Sequence, residues 1–541
     1  MLRQVLARRG IESPQELDLS LKHLVPVGRF SALDGAVNLL LEYRSKRIVV
    51  VGDFDADGAT STALVVLTLR SLGFAQVEYF IPDRFELGYG LSREVVARLA
   101  ALEPELLITV DNGISSIDGV AAAHEAGMAV LITDHHLPGE RLPDAEAIVN
   151  PNMPGDGFPG KQLAGVGVAF YLLAALGKAM ARPAAVSEYL DLVALGTVAD
   201  LVRLDRSNRI LVEQGLRRIR AGQCRPGLLA LCRVAGVDPQ AVRAETLGYQ
   251  IAPRLNAAGR LDDMSIGVRC LLGTDPSELE RLAAELDSLN RERRELEGRM
   301  RGEAMRLMAD IEPFAEAAVP DVICLHRSDW HQGLVGLVAS RVKQRYHRPA
   351  FAFAPGEGGV LKGSGRSIAG FHLRDALAEV DTLYPGLVLR FGGHAMAAGL
   401  TLAAEALDDF RAAIAAVGRD KLTAEHLAEC IYTDGELAPA QLDLEAALAL
   451  RDAGPWGQGF PAPCFDGRFQ ILEQRLLKDA HLKMSLQAEP TGRPVDAIAF
   501  NCESGPWHDG QRVRVVYRLA VNDYYEALAT QLIVEHIEAE P

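Results

Sequence analysis

Cysteines and long hydrophobic runs are scarce in this sequence. Its seven cysteines are scattered over 541 residues, and no two of them form a C-x-x-C pair. This argues against a disulfide framework and against a cysteine-ligated zinc site. No apolar stretch reaches the ~18 residues of a membrane span, and residues 1–4 do not lead into the apolar segment of a signal peptide. We therefore expect a cytoplasmic protein whose thiols are reduced.

Positive charge is also in deficit. The chain has 56 lysines and arginines against 72 aspartates and glutamates, a formal net charge of −16. This argues against a general nucleic-acid coat protein. It does not exclude a nucleic-acid enzyme, because local patches of charge matter more than the sum.

Periodic patterns divide the chain into several domains, as its length requires. Strand-like and helix-like patterns alternate from about residue 45 to 205, which predicts an α/β domain with a mainly parallel sheet. Leucines at three- and four-residue steps from 276 to 307 predict a long helix, either packed on a domain or connecting two domains across solvent. A second α/β unit follows, and short alternating runs near the C-terminus predict a small β-barrel or sandwich.

These patterns give the domain division that we expect. It comprises an N-terminal leader at 1–40, a parallel-sheet domain at 41–205, a helical connector at 206–312, a second α/β domain at 313–427 and a barrel domain at 428–541.

Three short polar clusters each follow an apolar run with the length of a buried strand. They are D-F-D-A-D-G at 53–58, D-N-G at 111–113 and D-H-H at 134–136. In an open parallel sheet, side chains just past the carboxyl ends of the strands meet in one crevice. Several carboxylates lie together there only if positive charge offsets them. The clusters therefore indicate a site for divalent metal and a metal-dependent hydrolase.

Asp200 is counted as a fourth cluster, and it ends an apolar helix predicted at 190–201. Alone, each cluster has an ordinary explanation: a solvated loop, a common turn, or a helix cap. An EF-hand calcium loop would need a later Glu, which is absent. Together the clusters favour a dinuclear site, in which two metals generate hydroxide and stabilise an in-line displacement at phosphorus.

The four clusters, in this order, resemble the motifs of the DHH phosphoesterase superfamily. The resemblance implies two ions, Mn²⁺ or Mg²⁺, held by Asp55, Asp57, Asp111, His135 and Asp200. His136 matches the second histidine of that superfamily, which contacts either metal or phosphate. Asp53 and Asp134 belong to the motifs, but the resemblance assigns them no firm role.

Further motifs narrow the resemblance to the RecJ family of single-strand-specific 5′ exonucleases. W-H-Q-G-L-V-G at 330–336, G-S-G-R-S at 363–367 and G-G-H at 392–394 are similar to the family's second, DHHA1-like domain, and R-L-N-A-A-G-R at 254–260 to its middle segment. Glycine-rich backbone beside Arg and Ser suits phosphate. The resemblance implies that substrate is bound by Arg260, Ser364, Arg366, Gly392, Gly393 and His394. The implied catalytic set is Asp55, Asp57, Asp111, His135, His136, Asp200 and His394.

The resemblance implies a metal-dependent 5′ to 3′ exonuclease that acts on single-stranded DNA, releases 5′ mononucleotides and serves DNA repair, recombination and mismatch repair. It implies an OB-fold for the barrel, and a single-strand-binding protein and a helicase as partners. Phe54 stands where tyrosine is frequent, which removes a hydroxyl but no ligand. Because the chain ends after the barrel, we expect the additional C-terminal domain of some members to be absent.

Two groups of residues leave alternatives open. Aromatic residues before and within the first barrel strand either stack on DNA bases or belong to the core: Trp456, Phe460, Phe465 and Phe469. Arginines after Asp200 either line an access path for the strand or form an ordinary solvated helix face: Arg203, Arg206, Arg209, Arg217, Arg218, Arg220 and Arg225.

Three other functions can each be compared with this chain through one feature of the sequence. A DHH phosphodiesterase of short oligonucleotides or cyclic dinucleotides generally lacks a C-terminal barrel. A family II pyrophosphatase has an additional metal-binding His four residues before the position of Asp55, where this chain has Val51. A non-catalytic single-strand DNA-binding scaffold would have a decayed site, whereas the carboxylate and histidine set here is intact.

Overall fold

Five parallel strands form the N-terminal sheet. The computed structural model describes residues 1–84, 86–309, 319–477, 481–489, 492–500, 502, 507–522 and 527–540. The strands are β1 (Arg47–Val51), β2 (Gln76–Phe80), β3 (Leu106–Val110), β4 (Ala129–Thr133) and β5 (Ala147–Val149). Their order is β2-β1-β3-β4-β5, with parallel pairing throughout. The predicted parallel sheet is therefore confirmed.

Helices lie before this sheet, between its strands and after it. They are α1 (Leu2–Arg8), α2 (Leu33–Glu42), α3 (Ala56–Ser71), α4 (Arg93–Leu99), α5 (Ile117–Glu125), α6 (Gly165–Ala179), α7 (Leu190–Ala199), α8 (Arg206–Arg220), α9 (Pro226–Ala235), α10 (Ala244–Thr246), α11 (Ala252–Leu261) and α12 (Ser265–Leu272). A π-helical turn, Leu247–Ile251, joins α10 to α11. Short 3₁₀ helices along the whole chain are Pro14–Leu17, Leu21–His23, Val27–Arg29, Ala100–Leu102, Ala185–Tyr189, Pro239–Ala241, Ala404–Ala406 and Pro439–Gln441.

The central strands are apolar along their length because both faces of the sheet are covered. Ile48 and Val50 of β1 pack in a core with α3, while Val49 and Val51 pack in a second core with α4 and α5. The chain passes from β1 to β2 on one side and then returns to β3 on the other. The crevice beyond β1 and β3 is therefore the topological switch point, where ligands bind in open α/β sheets.

The predicted long helix is confirmed as α13 (Pro276–Ala309). Leu279 and Leu286 near its start are buried in the first core, Leu296 is exposed, and Ala304 is buried in another core. The chain divides into two compact units within this helix: residues 1–291 with 433–541, and residues 292–432. The expected domain boundary at 312/313 lies outside the described residues.

The second unit has a mixed sheet with helices. Its elements are β6 (Ile323–His326), α14 (Val335–Tyr346), β7 (Ala350–Pro355), β8 (Val360–Arg366), α15 (Leu373–Leu383), β9 (Arg390–Gly393), β10 (Ala397–Ala403), α16 (Leu407–Lys421) and α17 (Ala424–Leu427). The strand order is β6-β7-β8-β10-β9, with only β6 and β7 parallel among the described pairings. This confirms the second α/β domain.

Glycines in β8 make room for aromatic rings in this unit. Phe351 and Phe353 pack edge-on against Phe410, with ring centroids 5.5 and 5.6 Å apart. A Cβ on Gly363 would lie 2.4 Å from the ring of Phe353, and one on Gly365 would lie 2.7 Å from the ring of Phe351. Packing therefore explains two glycines of the G-S-G-R-S segment, of which residues 363–366 belong to β8.

A closed five-stranded barrel follows a short helix in the C-terminal part of the first unit. The helix is α18 (Leu444–Asp452), and the strands are β11 (Phe465–Leu477), β12 (His481–Ala488), β13 (Pro494–Phe500), β14 (Arg512–Asn522) and β15 (Ala529–Ala539). The order around the barrel is β11-β12-β13-β15-β14. Burial alternates along β12, as an inward and outward pattern requires. The structure thus selects the barrel over the sandwich.

The aromatic residues proposed for base stacking are in the core. Trp456, Phe460, Phe465 and Phe469 are all buried. Trp456 and Phe460 stack on each other with centroids 5.0 Å apart, and the guanidinium of buried Arg209 lies 3.9 Å from the Phe460 ring centroid. Of the two alternatives, the structure therefore favours core packing for all four.

Hydrogen bonds connect the residues just before the barrel to the end of helix α1 and to the loop after α7. Arg9 donates two hydrogen bonds to the carboxylate of Asp434, at 2.8 and 2.9 Å, and both side chains are nearly buried. The amide of Leu204 donates to the carbonyl of Gln458 at 2.7 Å. The parallel sheet and the barrel therefore belong to one packed unit.

In the described part of the chain, no single helix has the length and apolarity needed to cross a membrane. One bent pair of helical segments, residues 21–29 and 33–42, passes that test by length and composition when taken together.

We predict that Gly215→Ala destabilises the first unit. Gly215 lies where α8 meets α7, and an added Cβ would be 2.3 Å from the carbonyl oxygen of Leu190 and 2.4 Å from the Cβ of Ala194. Overpacking should lower the free energy of unfolding by about 1–3 kcal/mol, outweighing the ~1 kcal/mol gain in helix propensity. Chemical denaturation measures the change.

The matched control is Gly35→Ala on the exposed side of α2, where an added Cβ has open space. This change should leave stability unchanged or raise it by up to ~1 kcal/mol. Equal stabilities of the two variants would show that the α7–α8 contact tolerates another methyl group.

Candidate metal centre

Seven side chains from four segments meet at the switch point of the parallel sheet. The structure groups their ligand atoms in three sets, each with all atoms within 4.8 Å of one another: Asp57, His135 and Asp200; Asp53, Asp55 and Asp111; and Asp111, His135 and His136. Asp111 and His135 each belong to two sets. The structure thus brings together all five residues predicted to hold metal, and adds Asp53 and His136 beside them.

The loop after β1 supplies three of the carboxylates. Asp55 is the N-cap of α3 and its Oδ1 accepts the amide of Gly58 at 2.9 Å. Asp57, in the first turn of α3, accepts the amides of Gly165 and Val166 at 2.7 and 3.0 Å. These amides begin α6, and a helix N-terminus favours negative charge. The backbone therefore fixes the orientation of Asp57 within the cluster.

Asp111 adopts a left-handed backbone conformation, with φ +62°. Such a φ is uncommon for a residue other than glycine and is often found at functional sites. A Cβ on Gly165 would lie 2.6 Å from Asp111 Oδ1, and one on Gly196 would lie 2.8 Å from Asp57 Oδ1. Glycine at these two positions therefore allows helices α6 and α7 to approach the carboxylates.

Three buried atoms in the centre lack a hydrogen-bond partner among the described residues: Asp111 Oδ1, His135 Nε2 and Asp200 Oδ2. His135 Nε2 lies 3.1 Å from Asp111 Oδ1 and 3.5 Å from Asp200 Oδ2. Buried polar atoms are nearly always paired. A nitrogen and carboxylate oxygens that converge without hydrogen bonding are arranged as ligands of a shared cation. The residues present therefore fit a divalent metal ion.

Asp134 orients the two histidines and does not itself join the sets of ligand atoms. Its Oδ1 lies 2.7 Å from His136 Nδ1 and accepts the amides of His135 and His136 at 2.7 and 3.0 Å. Its Oδ2 accepts the amide of Ile114 at 2.9 Å. Burial opposes ionisation of Asp134, but these hydrogen bonds, that from His136 foremost, hold its pKa below the usual value. Asp134 is therefore a positioning residue.

Burial of several like charges shifts the acidities of the cluster. Burial, with repulsion from Asp55, raises the pKa of Asp53 and of Asp200 to about 7. Burial also raises the pKa values of Asp57 and Asp111 well above the usual range, and neighbouring carboxylates add to the effect. A bound cation would reverse these shifts.

The two histidines differ in charge. Burial lowers the pKa of His135 to about 4, and His136 adds to this effect. Its imidazole is therefore neutral near pH 7, as a metal ligand must be. The hydrogen bond with Asp134 raises the pKa of the more exposed His136.

Two residues that sequence reasoning left without a role also belong to the centre. Asn256 Oδ1 accepts the amide of Ala56 at 2.8 Å, which ties α11 to the loop after β1. Tyr89 is 52% exposed, and its hydroxyl lies 3.3 Å from the carbonyl oxygen of Asp111 and 3.4 Å from His136 Nδ1. The only sequence signal for Tyr89 was its position between two glycines.

The R-L-N-A-A-G-R segment mainly supports the metal loop. A Cβ on Gly259 would lie 1.7 Å from the carbonyl oxygen of Phe54. Arg254 is buried and pairs with Asp287 at 2.8 Å. Arg260, the predicted substrate ligand, is exposed at the end of α11.

The other predicted substrate ligands lie in the second unit. Arg366 donates to the hydroxyl of Ser364 at 2.8 Å and to the carbonyl of Gly365 at 2.8 Å. The start of α14 approaches both side chains: a Cβ on Gly336 would lie 2.9 Å from Arg366 Nη2 and 3.3 Å from Ser364 Oγ. Burial lowers the pKa of Arg366. Arg366, Ser364 and a helix N-terminus thus form one group suited to an anion.

The predicted G-G-H segment ends β9 and begins the connection to β10. Gly392 and Gly393 end this strand, and Gly393 has φ +144°. A Cβ on Gly393 would lie 2.4 Å from the carbonyl oxygen of Ala397. His394 follows and is exposed, with its amide donating to Ala397 at 2.8 Å.

Several arginines between 203 and 225 have structural contacts. Arg225 donates to the carbonyls of residues 271–273, Arg220 donates to the carbonyl of Val242, and Arg209 is buried. These three arginines therefore have structural roles. Neither alternative considered from the sequence, an access path for the strand or a solvated helix face, describes them.

Family models match three parts of the chain: the DHH family N-terminal domain at 47–197, the DHHA1 domain at 317–419 and the RecJ OB domain at 433–536. The chain is 51% identical over 552 residues to the single-stranded-DNA-specific exonuclease RecJ of Dickeya dadantii, covering 99% of this chain and 96% of the relative. It is 50% identical over 551 residues to that of Escherichia coli K12, covering 99% and 95%.

A crystal structure of RecJ from Thermus thermophilus in complex with Mn²⁺ is also similar. The TM-score is 0.79 at 31% identity, and the match covers 99% of this chain and 76% of that one. The complex of the same protein with Mg²⁺ gives a TM-score of 0.74 at 30% identity, covering 99% and 74%.

We predict that Asp111→Asn removes stabilisation by Mn²⁺ without destabilising the metal-free protein. The change removes one of several buried like charges, and asparagine tolerates the left-handed φ. At a Mn²⁺ concentration 100 times the dissociation constant, the wild type should gain about 2.7 kcal/mol, and the variant much less. Denaturation with Mn²⁺ and with chelator measures both quantities.

The control is Asp144→Asn, which changes an exposed aspartate in a loop outside the centre. This variant should respond to Mn²⁺ as the wild type does. If Asp111→Asn kept the full Mn²⁺ effect, Asp111 would not be a ligand.

We also predict that Mn²⁺ binding releases more protons at pH 6 than at pH 8.5. Asp53 and Asp200, with pKa values of about 7, are largely protonated at pH 6 and must ionise near the metal. His135, with a pKa of about 4, is already neutral and contributes no proton. Calorimetry in buffers of different ionisation enthalpy counts the protons. A release that did not fall with rising pH would contradict these shifts.

Proposed function

Since the chain belongs to the RecJ family, we propose that it is a metal-dependent exonuclease specific for single-stranded DNA. The observation that carries this proposal is the convergence of unpartnered ligand atoms from Asp111, His135 and Asp200 at the switch point. We propose further that it degrades the strand from 5′ to 3′ and releases 5′ mononucleotides.

The proposed metal ligands are Asp55, Asp57, Asp111, His135 and Asp200, for two ions of Mn²⁺ or Mg²⁺. When bound, these ions supply an activated water and neutralise the charge that develops on the phosphate. Asp57 is held by two backbone amides, and the neutral imidazole of His135 needs to lose no proton. The chain therefore presents fixed ligands, and little reorganisation is needed at the reaction.

His136 is proposed to contact the scissile phosphate. Its bond with Asp134 raises its pKa and so favours the protonated ring, which suits an anionic partner. Tyr89 projects beside it with an exposed ring, and is proposed to support the terminal nucleotide.

The residues of the second unit are proposed to recognise the 5′ end. Arg366 and Ser364 offer a guanidinium and a hydroxyl beside the start of α14, a combination suited to a phosphate. Arg260, Gly392, Gly393 and His394 are proposed to contact the substrate as well, with His394 acting at the scissile phosphate.

We propose one role for each domain. The parallel-sheet domain at 41–205 holds metal, and the helical segment at 206–312 connects it to the second α/β domain. The second α/β domain at 313–427 binds the 5′ end of the strand, and the barrel domain at 428–541 binds single-stranded DNA. A cytoplasmic location, action in DNA repair and recombination, and a single-strand-binding protein and a helicase as partners complete the proposal.

The decisive experiment compares single-stranded DNA with its duplex. The purified protein is incubated with internally labelled DNA in Mn²⁺, Mg²⁺ or chelator, and products are resolved by length. We expect metal-dependent mononucleotides from the 5′ end of the single strand alone. Turnover of dinucleotides without degradation of long strands would contradict the proposal, as would tight strand binding without turnover.

In the same assay, Asp111→Asn should lower turnover at least about 100-fold. Even the loss of a residue that only orients a metal ligand lowers metal affinity or activity about 10- to 100-fold. Asp111 is a better test than Asp57, whose loss would also leave two amides of α6 unpaired. Binding of single-stranded DNA in chelator should be retained, which separates loss of metal from loss of fold. Wild-type turnover in this variant would refute the assignment.

A further inference from the structure

A cavity next to the metal centre is not used by the mechanism proposed above. It has a volume of about 310 Å³ and lies within the first unit, between the end of α7, the π-helical turn Leu247–Ile251 and residues 456–462 before the barrel. Its volume is at the lower end of the range for small-ligand sites. Leu201, the residue after the proposed ligand Asp200, lines this cavity. A ligand here would therefore contact the residue that directly follows a proposed metal ligand.

Two large apolar side chains of this cavity are exposed in an unusual way. Leu201 has φ +57° and is 73% exposed. Tyr249, on the π-helical turn, is 76% exposed. Both a left-handed leucine and a π-helical turn are departures from regular backbone that often mark functional sites. Water is a poor neighbour for these side chains, whereas a nucleobase stacks well on a tyrosine ring and packs its apolar face against a leucine.

Polar groups accompany the apolar walls. Thr197 lines the cavity, is fully buried, and its hydroxyl has no hydrogen-bond partner within the described ranges. Gln458 and Arg518 also line it, and the Arg518 guanidinium donates to the carboxylate of Glu535 at 2.6 Å. An apolar slot with a few hydrogen-bonding groups matches a base, which has two apolar faces and a polar edge.

The walls of the cavity are fixed relative to one another. The amide of Leu204 donates to the carbonyl of Gln458 at 2.7 Å. On the opposite side, Gly248 packs close to α7, since a Cβ there would lie 3.2 Å from Val198 Cγ1. The site would thus be preformed, and binding would not have to order these segments.

The cavity adjoins a second one of about 620 Å³, with which it shares Ala244, Glu245, Trp456 and Arg518. Four arginines and three acidic residues line the second cavity. Three of these arginines pair with carboxylates, Arg220 with Glu213, Arg451 with Asp452 and Arg518 with Glu535, so the second cavity has mixed charge and simply continues the base site.

From these observations we infer that the cavity beside Asp200 is a docking site for one base of the single-stranded DNA substrate, stacked on Tyr249 and Leu201. This inference rests on the proposed function and adds a base subsite to it. Stacking does not depend on sequence, so the subsite would grip any strand. It would do so within the unit that holds the metal.

The test is an abasic scan of strand binding in chelator, where no hydrolysis interferes. Single-stranded oligonucleotides with one abasic position at a time are titrated with wild type, Tyr249→Ala and Tyr249→Phe. We expect Tyr249→Ala to weaken binding of the intact strand about 5- to 100-fold, and Tyr249→Phe to restore it. In the wild type, an abasic site at one or two positions of the strand should weaken binding by about the same factor as Tyr249→Ala does. In the Tyr249→Ala variant, the same abasic sites should not weaken binding any further.

Tyr384→Ala is the control, because Tyr384 is also an exposed tyrosine but lies in the other unit; it should bind like the wild type. Wild-type affinity in Tyr249→Ala would overturn the inference, as would abasic losses that add in full to the loss from the substitution. The scan reads binding alone, so a protein that binds but does not degrade DNA would refute the proposed function while the base site is still tested.

Discussion

Repulsion between buried carboxylates is the constraint on which the rest of the structure depends. Asp53, Asp57, Asp111 and Asp200 are gathered where burial alone makes ionisation costly, and their pKa values rise accordingly. Backbone amides satisfy Asp57, but no such compensation reaches Asp111 Oδ1 or Asp200 Oδ2 among the described contacts. The protein holds this arrangement by packing, and a cation would convert the repulsion into attraction.

The packing that holds the carboxylates together relies on small residues. Gly165 at the start of α6 and Gly196 in α7 let two helices approach Asp111 and Asp57 more closely than any side chain would permit. Gly259 does the same for α11 against the loop after β1. The geometry of the centre is therefore set by helices from well outside the strand-end loops. A substitution in these helices would reach the metal ligands without contacting metal.

Sequence reasoning predicts local features of this site better than those made by distant contacts. The loops after β1, β3 and β4 were predictable, because buried parallel strands have a clear apolar pattern and their ends converge. Asp200 could be placed only through family resemblance, since an aspartate at a helix end is ordinary by itself. Asn256 is 200 residues from the amide it accepts, and no periodicity indicates such a contact. The aromatic residues near the barrel were ambiguous for the same reason, because composition does not reveal which rings the core will cover.

The structure also explains how an acidic chain suits a nucleic-acid substrate. Arginines that could have supplied a positive surface are used to hold segments together, as Arg9 does with Asp434 and Arg225 with the end of α12. Attraction for phosphate is instead concentrated in small groups, such as Arg366 with Ser364, and in the cations that the carboxylates would hold. The surface of such a protein would have little general electrostatic attraction for the phosphates of a duplex. Selectivity for a single strand would then rest on exposed base faces, which only unpaired bases present.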